Sequence, residues 1–469
     1  MKRNKLFSIF QAIIFAIIVS IAFQFARTPF GLICSILTFS LLPIAYTYQA
    51  NKKLFLFAFG IALNLFNFTW LINTISIFGG FPKALSIIIY LLFAVFFSLQ
   101  FLIIYLTEKL LSKFGTDNQS KFLIFSFGWM LSEYLFPKLF PWRIAHTTIY
   151  SKQISLLSSI ISVELLGGIL FFLFSNIFYL LMSKFNLKNH KIKFSDLLPI
   201  LSLILLILLG QRKIYALQNL ITASPEANIK IIQGNISLME KHSRELVQKN
   251  INRHIELSNS SDSNTDIVIW PESAINALIP KSATKISLAT LNAPLLTGII
   301  AIDEEKKLYN SAILVDQLSN IIGSYDKIIL MPFGEYLPFE STFPFLRKLS
   351  PMSGDFKRGT NITPIEYKNL KIGVLICYED LVTDLAKIQK RNGANLLVNL
   401  TNDAWYGKTN APYLHSLIAS FRAIETSRYL VRATNTGHTA IINPYGDIEH
   451  ELPIFEEKVL IGSVKLIED

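Results

Sequence analysis

The chain has 469 residues, 44 of them Lys or Arg and 33 Asp or Glu, for a formal net charge of +11. Two cysteines, Cys34 in an apolar segment and Cys377 far downstream, are too few for a thiolate zinc site and argue against a disulfide. The basic excess sits in the loops of the apolar half, and no basic cluster interleaved with aromatics stands in the rest, which argues against a nucleic-acid partner.

Seven apolar segments come first, near 6–25, 30–46, 54–75, 85–106, 122–136, 156–182 and 197–209. Several approach the roughly 20 residues that cross hydrocarbon, while the second, fifth and seventh are short. The basic start Met1-Lys2-Arg3-Asn4-Lys5 looks like a signal peptide, but no small-residue cleavage site follows it and further spans do, so it reads as a helix. One set of loops carries twelve Lys and Arg, among them Lys2, Lys52, Lys109 and Lys184; the other carries five, from Arg27 to Lys152. The richer side is expected to be cytoplasmic. An inside N-terminus and an odd number of spans then place residues from about 211 onward outside the cytoplasm. Glu133 and Glu164 fall in or near spans, where ionisable groups face either a bundle interior or the interface. Phe78-Gly79-Gly80-Phe81-Pro82 and Phe140-Pro141-Trp142-Arg143 fall on the outer side, as interface anchors or as the lining of a lipid entrance. The expected division is a transmembrane helical domain over 1–210, a linker over 211–227 and an outer domain over 228–469.

In the outer domain the pattern changes to short strands between helical stretches. Strands are expected at 229–233, 266–270, 294–300, 311–315, 371–376, 394–399, 430–433, 439–442 and 458–465, and helices at 239–257 and 414–427. This alternation argues for a layered α/β domain. No 20–50-residue repeat and no low-complexity tract interrupts it.

Three segments carry chemistry. Cys377 ends the apolar run Lys371-Ile-Gly-Val-Leu-Ile-Cys377, where layered α/β domains present reactive groups. Its attacking form is the thiolate, which needs a base. Glu272 follows a buried strand and Pro271, placed to take the proton. Lys327, in Tyr325-Asp326-Lys327, is placed to lower the thiol pKa or to donate to an oxyanion. Glu335, Tyr378 and Glu379 stand beside these as supporting residues, the two carboxylates orienting Lys327 or tuning Glu272. Taken singly, each has a bland reading: a small core thiol, a turn carboxylate, a solvated ammonium. Their chain order and flanking segments favour the chemical one.

That order, Glu then Lys then Cys, resembles the nitrilase or carbon–nitrogen hydrolase superfamily, through Trp270-Pro271-Glu272, Tyr325-Asp326-Lys327 with Pro332-Phe333-Gly334-Glu335, and Ile376-Cys377-Tyr378-Glu379. With the membrane half included, the chain resembles apolipoprotein N-acyltransferases. Asn402-Asp403-Ala404-Trp405, Arg432-Ala433-Thr434-Asn435, Gln233-Gly234-Asn235 and Phe140-Pro141-Trp142 all match. The implied fold is a multi-span α-helical membrane domain plus an α/β nitrilase-like four-layer α-β-β-α sandwich. The implied location is the bacterial inner membrane, multi-pass, with the catalytic domain periplasmic. Two departures stand out. No apolar segment follows the domain, which runs to Leu466-Ile-Glu-Asp469 where family members commonly add a transmembrane helix. Lys241-His242 also occupies a neighbourhood where the family often has Trp.

The resemblance implies acyl transfer from a phospholipid, with phosphatidylethanolamine the expected donor, through a Cys377 thioester to the α-amine of a diacylglyceryl-cysteine apolipoprotein. It implies Glu272, Lys327 and Cys377 as catalytic residues, and neither cofactor nor metal. The apolar loop from Pro338 through Phe339, Phe343 and Phe345, with Trp405, is expected to form a substrate entrance near the bilayer; its alternative is a loop buried on the domain core. Two rival readings are a membrane-anchored nitrilase or amidase acting on a small C–N substrate, and a transporter or receptor whose outer domain only binds ligand. Cys377→Ala separates the last from either enzyme.

Overall fold

The computed structural model describes residues 2–186, 194–237, 240, 244–260, 264–349 and 354–468. Met239, Lys241 and His242 lie outside the described residues, as do Lys188, Lys191 and Lys193. The chain divides into two compact units, 1–72 with 82–216, and 73–81 with 217–469.

The first unit is helical. Helices α1 (Lys2–Gln24), α2 (Pro29–Thr47) and α3 (Lys52–Asn67) are followed by α4 (Leu71–Gly79), whose later residues belong to the second unit. Then come α5 (Lys83–Ser98), α6 (Leu102–Leu111), α7 (Asn118–Leu135), α8 (Val163–Asn186) and α9 (Phe194–Ala223). Short polar residues set the helix starts. Thr28 accepts from the Gly31 amide at 3.2 Å with Pro29 in the first turn, and Asn51 accepts from the Leu54 amide at 3.1 Å. Aromatic rings fill the interior, as where Trp129 of α7 meets Phe171 of α8 with centroids 4.7 Å apart. Other faces leave large apolar side chains bare, among them Ile88, Leu92, Leu205 and Leu208. A continuous bare apolar face is the signature of a lipid-facing helix.

Among the described residues, five helices are long and apolar enough to cross a membrane, and a sixth span is counted if α3 and α4, bent by 61°, act together. Seven were expected. The remaining expected span, 122–136, coincides with α7, which starts on Asn118-Gln119-Ser120-Lys121 and carries Glu133, so its polar residues take it out of that class. The linker expected over 211–227 is instead the last part of α9 and the first residues of a strand. No Gly or Pro interrupts 211–223, and the helix runs on until Ser224-Pro225.

The second unit holds two sheets. The first has the order β13-β1-β2-β4-β5-β6, with β3 also paired to β4, and the second β12-β11-β10-β9-β8-β7. The strands are β1 (Glu226–Gln233), β2 (Ile267–Ile269), β3 (Ile275–Pro280), β4 (Leu295–Ile302), β5 (Leu308–Val315), β6 (Ile321–Asp326) and β7 (Ile365–Tyr367). They continue with β8 (Leu370–Ile376), β9 (Leu396–Thr401), β10 (Leu430–Thr434), β11 (Ala440–Ile442), β12 (Ile448–Glu451) and β13 (Lys458–Lys465). In each sheet the central strands run parallel, β1-β2-β4 and β8-β9-β10, and antiparallel strands flank them.

The two-residue period of strands sorts the apolar side chains into layers. Ile229 and Ile231 of β1 and Ile267 and Ile269 of β2 meet Ile372, Val374 and Ile376 of β8 and Val398 and Leu400 of β9 in one core between the sheets. On the far side of the first sheet, Ile232, Val268 and Trp270 pack on Ile251 of α10 (Val247–Asn259). On the far side of the second, Leu375 and Leu397 pack on Leu385 of α11 (Thr383–Arg391) and Ala419 and Ala423 of α12 (Ala411–Thr426). Helix, sheet, sheet, helix is the expected four-layer sandwich. The strands β3, β6, β7 and β12 and helix α11 were not expected. These strands are short or polar, and only pairing with neighbours makes them strands.

Candidate active site

Three loops that leave strands of the two sheets converge here. β2 ends in Trp270-Pro271, and Glu272 follows with its side chain 10% exposed. Strand β4 passes directly behind this turn at Gly298, where a Cβ would stand 2.4 Å from the Ser273 amide nitrogen, so glycine is required for the approach. Lys327 follows β6 and is buried; its amide donates to Asn310 O at 2.8 Å. Its Nζ lies 2.8 Å from Glu335 Oε2 and 3.9 Å from Glu272 Oε1. Asn310 Nδ2 donates to both carboxylates, at 2.7 Å to Glu272 Oε1 and 2.7 Å to Glu335 Oε1. The Met331 amide donates to Glu335 Oε2 at 2.8 Å, fixing that side chain from the backbone.

Cys377 follows β8 and opens a one-turn helix, Cys377–Leu381, with φ +50. A non-glycine residue in the left-handed region costs about 1–2 kcal/mol and persists only where surroundings hold it. Asn399 Nδ2 donates to Cys377 O at 3.1 Å. Glu379, wholly buried, accepts from the Ile376 amide at 2.8 Å, the Ile328 amide at 2.7 Å, the Ile329 amide at 3.0 Å and the Tyr325 hydroxyl at 3.0 Å. It thus ties the end of β8 to the segment that carries Lys327. It was expected to orient Lys327 or to tune Glu272; its oxygens accept from three backbone amides and the Tyr325 hydroxyl. Burial pushes its carboxyl up to about 7, against the pull of Lys327 and those amides.

The charges of Glu272 and Lys327 both act on the thiol. Burial, then Glu272, push the Cys377 thiol well up, while Lys327 and a hydrogen bond from Thr401 pull it down. Burial also opposes the charge on Lys327, but Glu335, Cys377 and Glu272 outweigh it and hold the ammonium charged. Two carboxylates and one ammonium leave a net negative site, so a resting thiolate is disfavoured and a proton leaving sulfur needs a nearby acceptor. Glu272 stands in that position. Such a site suits attack on a carbonyl carbon, with Lys327 Nζ as donor to the developing oxyanion.

Tyr378 is half-buried in the Cys377 turn, and Trp405 is half-buried in the turn Asp403–Tyr406, where its carbonyl accepts from Thr74 Oγ1 at 2.9 Å. Phe339, Phe343 and Phe345 are exposed, by 72, 49 and 57%, so their loop is not packed on the core. Beside it lies an open cleft lined by Leu330, Tyr336, Leu337 and Phe356 among others. The remaining motif residues act as clips. Asn435 brackets Ile236, accepting from its amide at 2.9 Å and donating to its carbonyl at 2.7 Å, and Gln233 Oε1 accepts from Thr439 Oγ1 at 2.6 Å. Asn310 and Thr401 escaped the sequence reading. Each is a polar residue at the end of an apolar strand, and that break in the apolar run was the available signal.

Residues 229–468 match the Carbon-nitrogen hydrolase family, and residues 15–177 match the Apolipoprotein N-acyltransferase N-terminal domain. Relatives named Apolipoprotein N-acyltransferase match as well, among them the following three. One from Bdellovibrio bacteriovorus is 30% identical, with 84% of this chain and 76% of the relative aligned. One from Wigglesworthia glossinidia brevipalpis is 31% identical, over 87% of this chain and 82% of the relative. One from Geobacter metallireducens is 38% identical over 51% of this chain, an alignment that takes in 48% of that relative.

Proposed function

Given that this chain belongs to the apolipoprotein N-acyltransferase family, we propose that it moves a fatty acyl chain from a phospholipid, through a thioester on Cys377, to the N-terminal α-amine of a diacylglyceryl-cysteine apolipoprotein. We place it in the inner membrane of a bacterium with the residues beyond α9 on the periplasmic side, on the charge asymmetry of its loops and on counting the 18-residue α7 as a seventh crossing beside the five apolar helices and the bent α3–α4 pair. The observation that carries the chemistry is the convergence of Glu272, Lys327 and the thiol of Cys377, with Lys327 Nζ 3.9 Å from Glu272 Oε1.

In the first half-reaction Glu272 takes the Cys377 proton and sulfur bonds to the ester carbonyl carbon. Lys327 donates to the oxyanion, the C–O bond breaks, and the lysophospholipid leaves with the proton from Glu272. In the second, the acceptor amine attacks the thioester, Glu272 takes its proton, and the C–S bond breaks with that proton returning to sulfur. An amide forms and Cys377 is regenerated. Glu335 and Asn310 hold Lys327 and Glu272 in place throughout. The exposed Phe339, Phe343 and Phe345 form an apolar edge along which acyl chains enter. Excluding water there protects the thioester and favours transfer over hydrolysis.

The test is intact mass of the full-length protein after incubation with phosphatidylethanolamine, beside Cys377→Ala. A fatty-acyl mass on the native protein only, removed by a diacylated lipopeptide, is expected. Free fatty acid accumulating with no adduct would point instead to a hydrolase, and no turnover with any phospholipid would defeat the donor.

A further inference from the structure

Behind Cys377, the Cys377–Leu381 turn and the Asp403–Tyr406 turn are tied together by four buried ionisable side chains. Asp380 Oδ1 lies 2.6 Å from His415 Nε2, and Asp403 Oδ1 lies 3.1 Å from His415 Nδ1. Arg432 closes the ring, Nη1 donating to Asp380 Oδ2 and Nη2 to Asp403 Oδ2 at 3.4 Å. None of the four is more than 5% exposed. Gly437 packs so closely on Asp403 that a Cβ there would stand 2.3 Å from its side chain.

A neutral imidazole has one N–H and one lone pair, and a carboxylate only accepts. With both ring nitrogens facing carboxylate oxygens, a neutral His415 would set a lone pair against a carboxylate, whereas an imidazolium satisfies both. It also balances the ring, two positive groups against two negative. Burial opposes the charge and Arg432 opposes it further, but Asp380 and Asp403 outweigh them and His415 is pushed up to about 9.

Thr401 links the ring to sulfur. Its Oγ1 lies 3.4 Å from Asp403 Oδ1, the same oxygen that His415 Nδ1 serves, and it hydrogen-bonds the Cys377 thiol. One hydroxyl proton cannot serve both. With His415 Nδ1 already at 3.1 Å on Asp403 Oδ1, the Thr401 bond to that oxygen is long at 3.4 Å, so its proton turns to a thiolate more easily than it would if it were the sole donor there.

We propose that His415 is a positioning residue for acyl transfer: an imidazolium bridging Asp380 and Asp403 that locks the Cys377 turn in place and frees the Thr401 hydroxyl for the sulfur. The proposal rests on the reading of Cys377 as nucleophile. Its pH dependence is set by the groups facing the ring, which are Asp380, Asp403, Arg432, Tyr406 at 6.0 Å between rings, and His438 through its charge on Asp403. Glu272, Lys327 and Glu335 act on the thiol from the other side.

The experiment uses the full chain in detergent with phosphatidylethanolamine and a diacylated lipopeptide. It also measures alkylation of Cys377 by iodoacetamide, read by peptide mass so that Cys34 is scored separately. His415→Gln is expected to lower kcat about 10- to 100-fold. KM for both substrates should stay within about twofold, the pattern of a lost transition-state contribution, and alkylation at pH 7 should slow. Asp403→Asn removes one of the carboxylates that hold the imidazolium charged, so the alkaline limb of kcat should move to lower pH than in the native enzyme. An unmoved limb in Asp403→Asn, or native alkylation in His415→Gln, would overturn the proposal. A lowered unfolding midpoint in folded variants, with neither the kcat limb nor the alkylation rate changed, would overturn it too, leaving a merely structural ring. Should His415→Gln not fold, Asp403→Asn and the native limb near pH 9 decide. If alkylation shifts as expected while no acyl adduct ever forms, the acyl-transfer reading fails and the positioning role stands.

Discussion

Two buried charge clusters flank Cys377, and they are built on opposite plans. On one side Glu272, Glu335 and Lys327 sum to a negative charge, and the half-buried thiol adjoins them. On the other, Asp380, Asp403, His415 and Arg432 close into a sealed and neutral ring. A sealed ring with matched charges has no reason to move a proton, and it holds backbone in place. The unbalanced site holds the proton on the thiol at rest, through burial and Glu272, and sets a carboxylate beside it to receive that proton in the proposed mechanism. In the proposed mechanism the unbalanced cluster moves a proton and the balanced one does not, so charge imbalance, more than burial, distinguishes the two.

Breaking the reactive cluster should cost most. Glu272→Gln keeps the shape and the Asn310 contact but not the base, and is expected to slow thioester formation by about 10²–10⁴-fold, read by single-turnover mass spectrometry. Lys327→Met removes the oxyanion donor and leaves Glu335 unpaired; a loss of about 10²–10³-fold in kcat is expected. Retained activity in either variant would erase the contrast. The clip on the same turn should respond differently. Glu379→Ala strips an acceptor from the Ile328, Ile329 and Ile376 amides, and at about 1–3 kcal/mol for a buried unsatisfied group it should lower the unfolding midpoint clearly.

pH sharpens the comparison further. His415 is raised when folded, so its contribution to stability is full below about 6.5 and is lost as pH rises through about 9. The acceptor amine must be neutral to attack, which starves transfer well below pH ~8. Activity is therefore expected to rise toward pH ~8 and fall through about 9, while the thermal midpoint only falls across the upper part of that range. A rate still climbing at pH 10 would contradict the charged ring. The smallest effect belongs to the exposed loop. Phe339→Ser and Phe345→Ser should slow transfer several-fold, by roughly 1 kcal/mol each in lost acyl contact, and leave the unfolding midpoint unchanged. Unchanged rates would remove the loop from the entrance.

Much of this molecule was legible in its residues. Long runs of Phe, Ile and Leu announce helices that expose apolar faces, because no globular core can bury so many. The buried parallel strands β1, β2, β8, β9 and β10 read as short apolar runs for the same reason. Edge elements such as β6, β7 and β12 did not, since partly polar sequences become strands only through their neighbours' hydrogen bonds. Of the seven expected spans, the one that coincides with α7 has the weakest signal, because Glu133 and a polar first turn lower its hydropathy.

By itself the sequence determined the two-part architecture, the strand-end placement of Glu272, Lys327 and Cys377, and their chemical types, because these depend on local patterning and on side-chain chemistry. Only the tertiary structure decided which charges belong together. Glu335 and Asn310 serve Lys327 and Glu272, whereas Glu379 serves the backbone, and Asp380, one residue further on, joins His415 from a distant helix. Neighbours in the chain at a turn point their side chains to opposite sides. Partners in a charge network are chosen by distances in space that no spacing in the chain encodes.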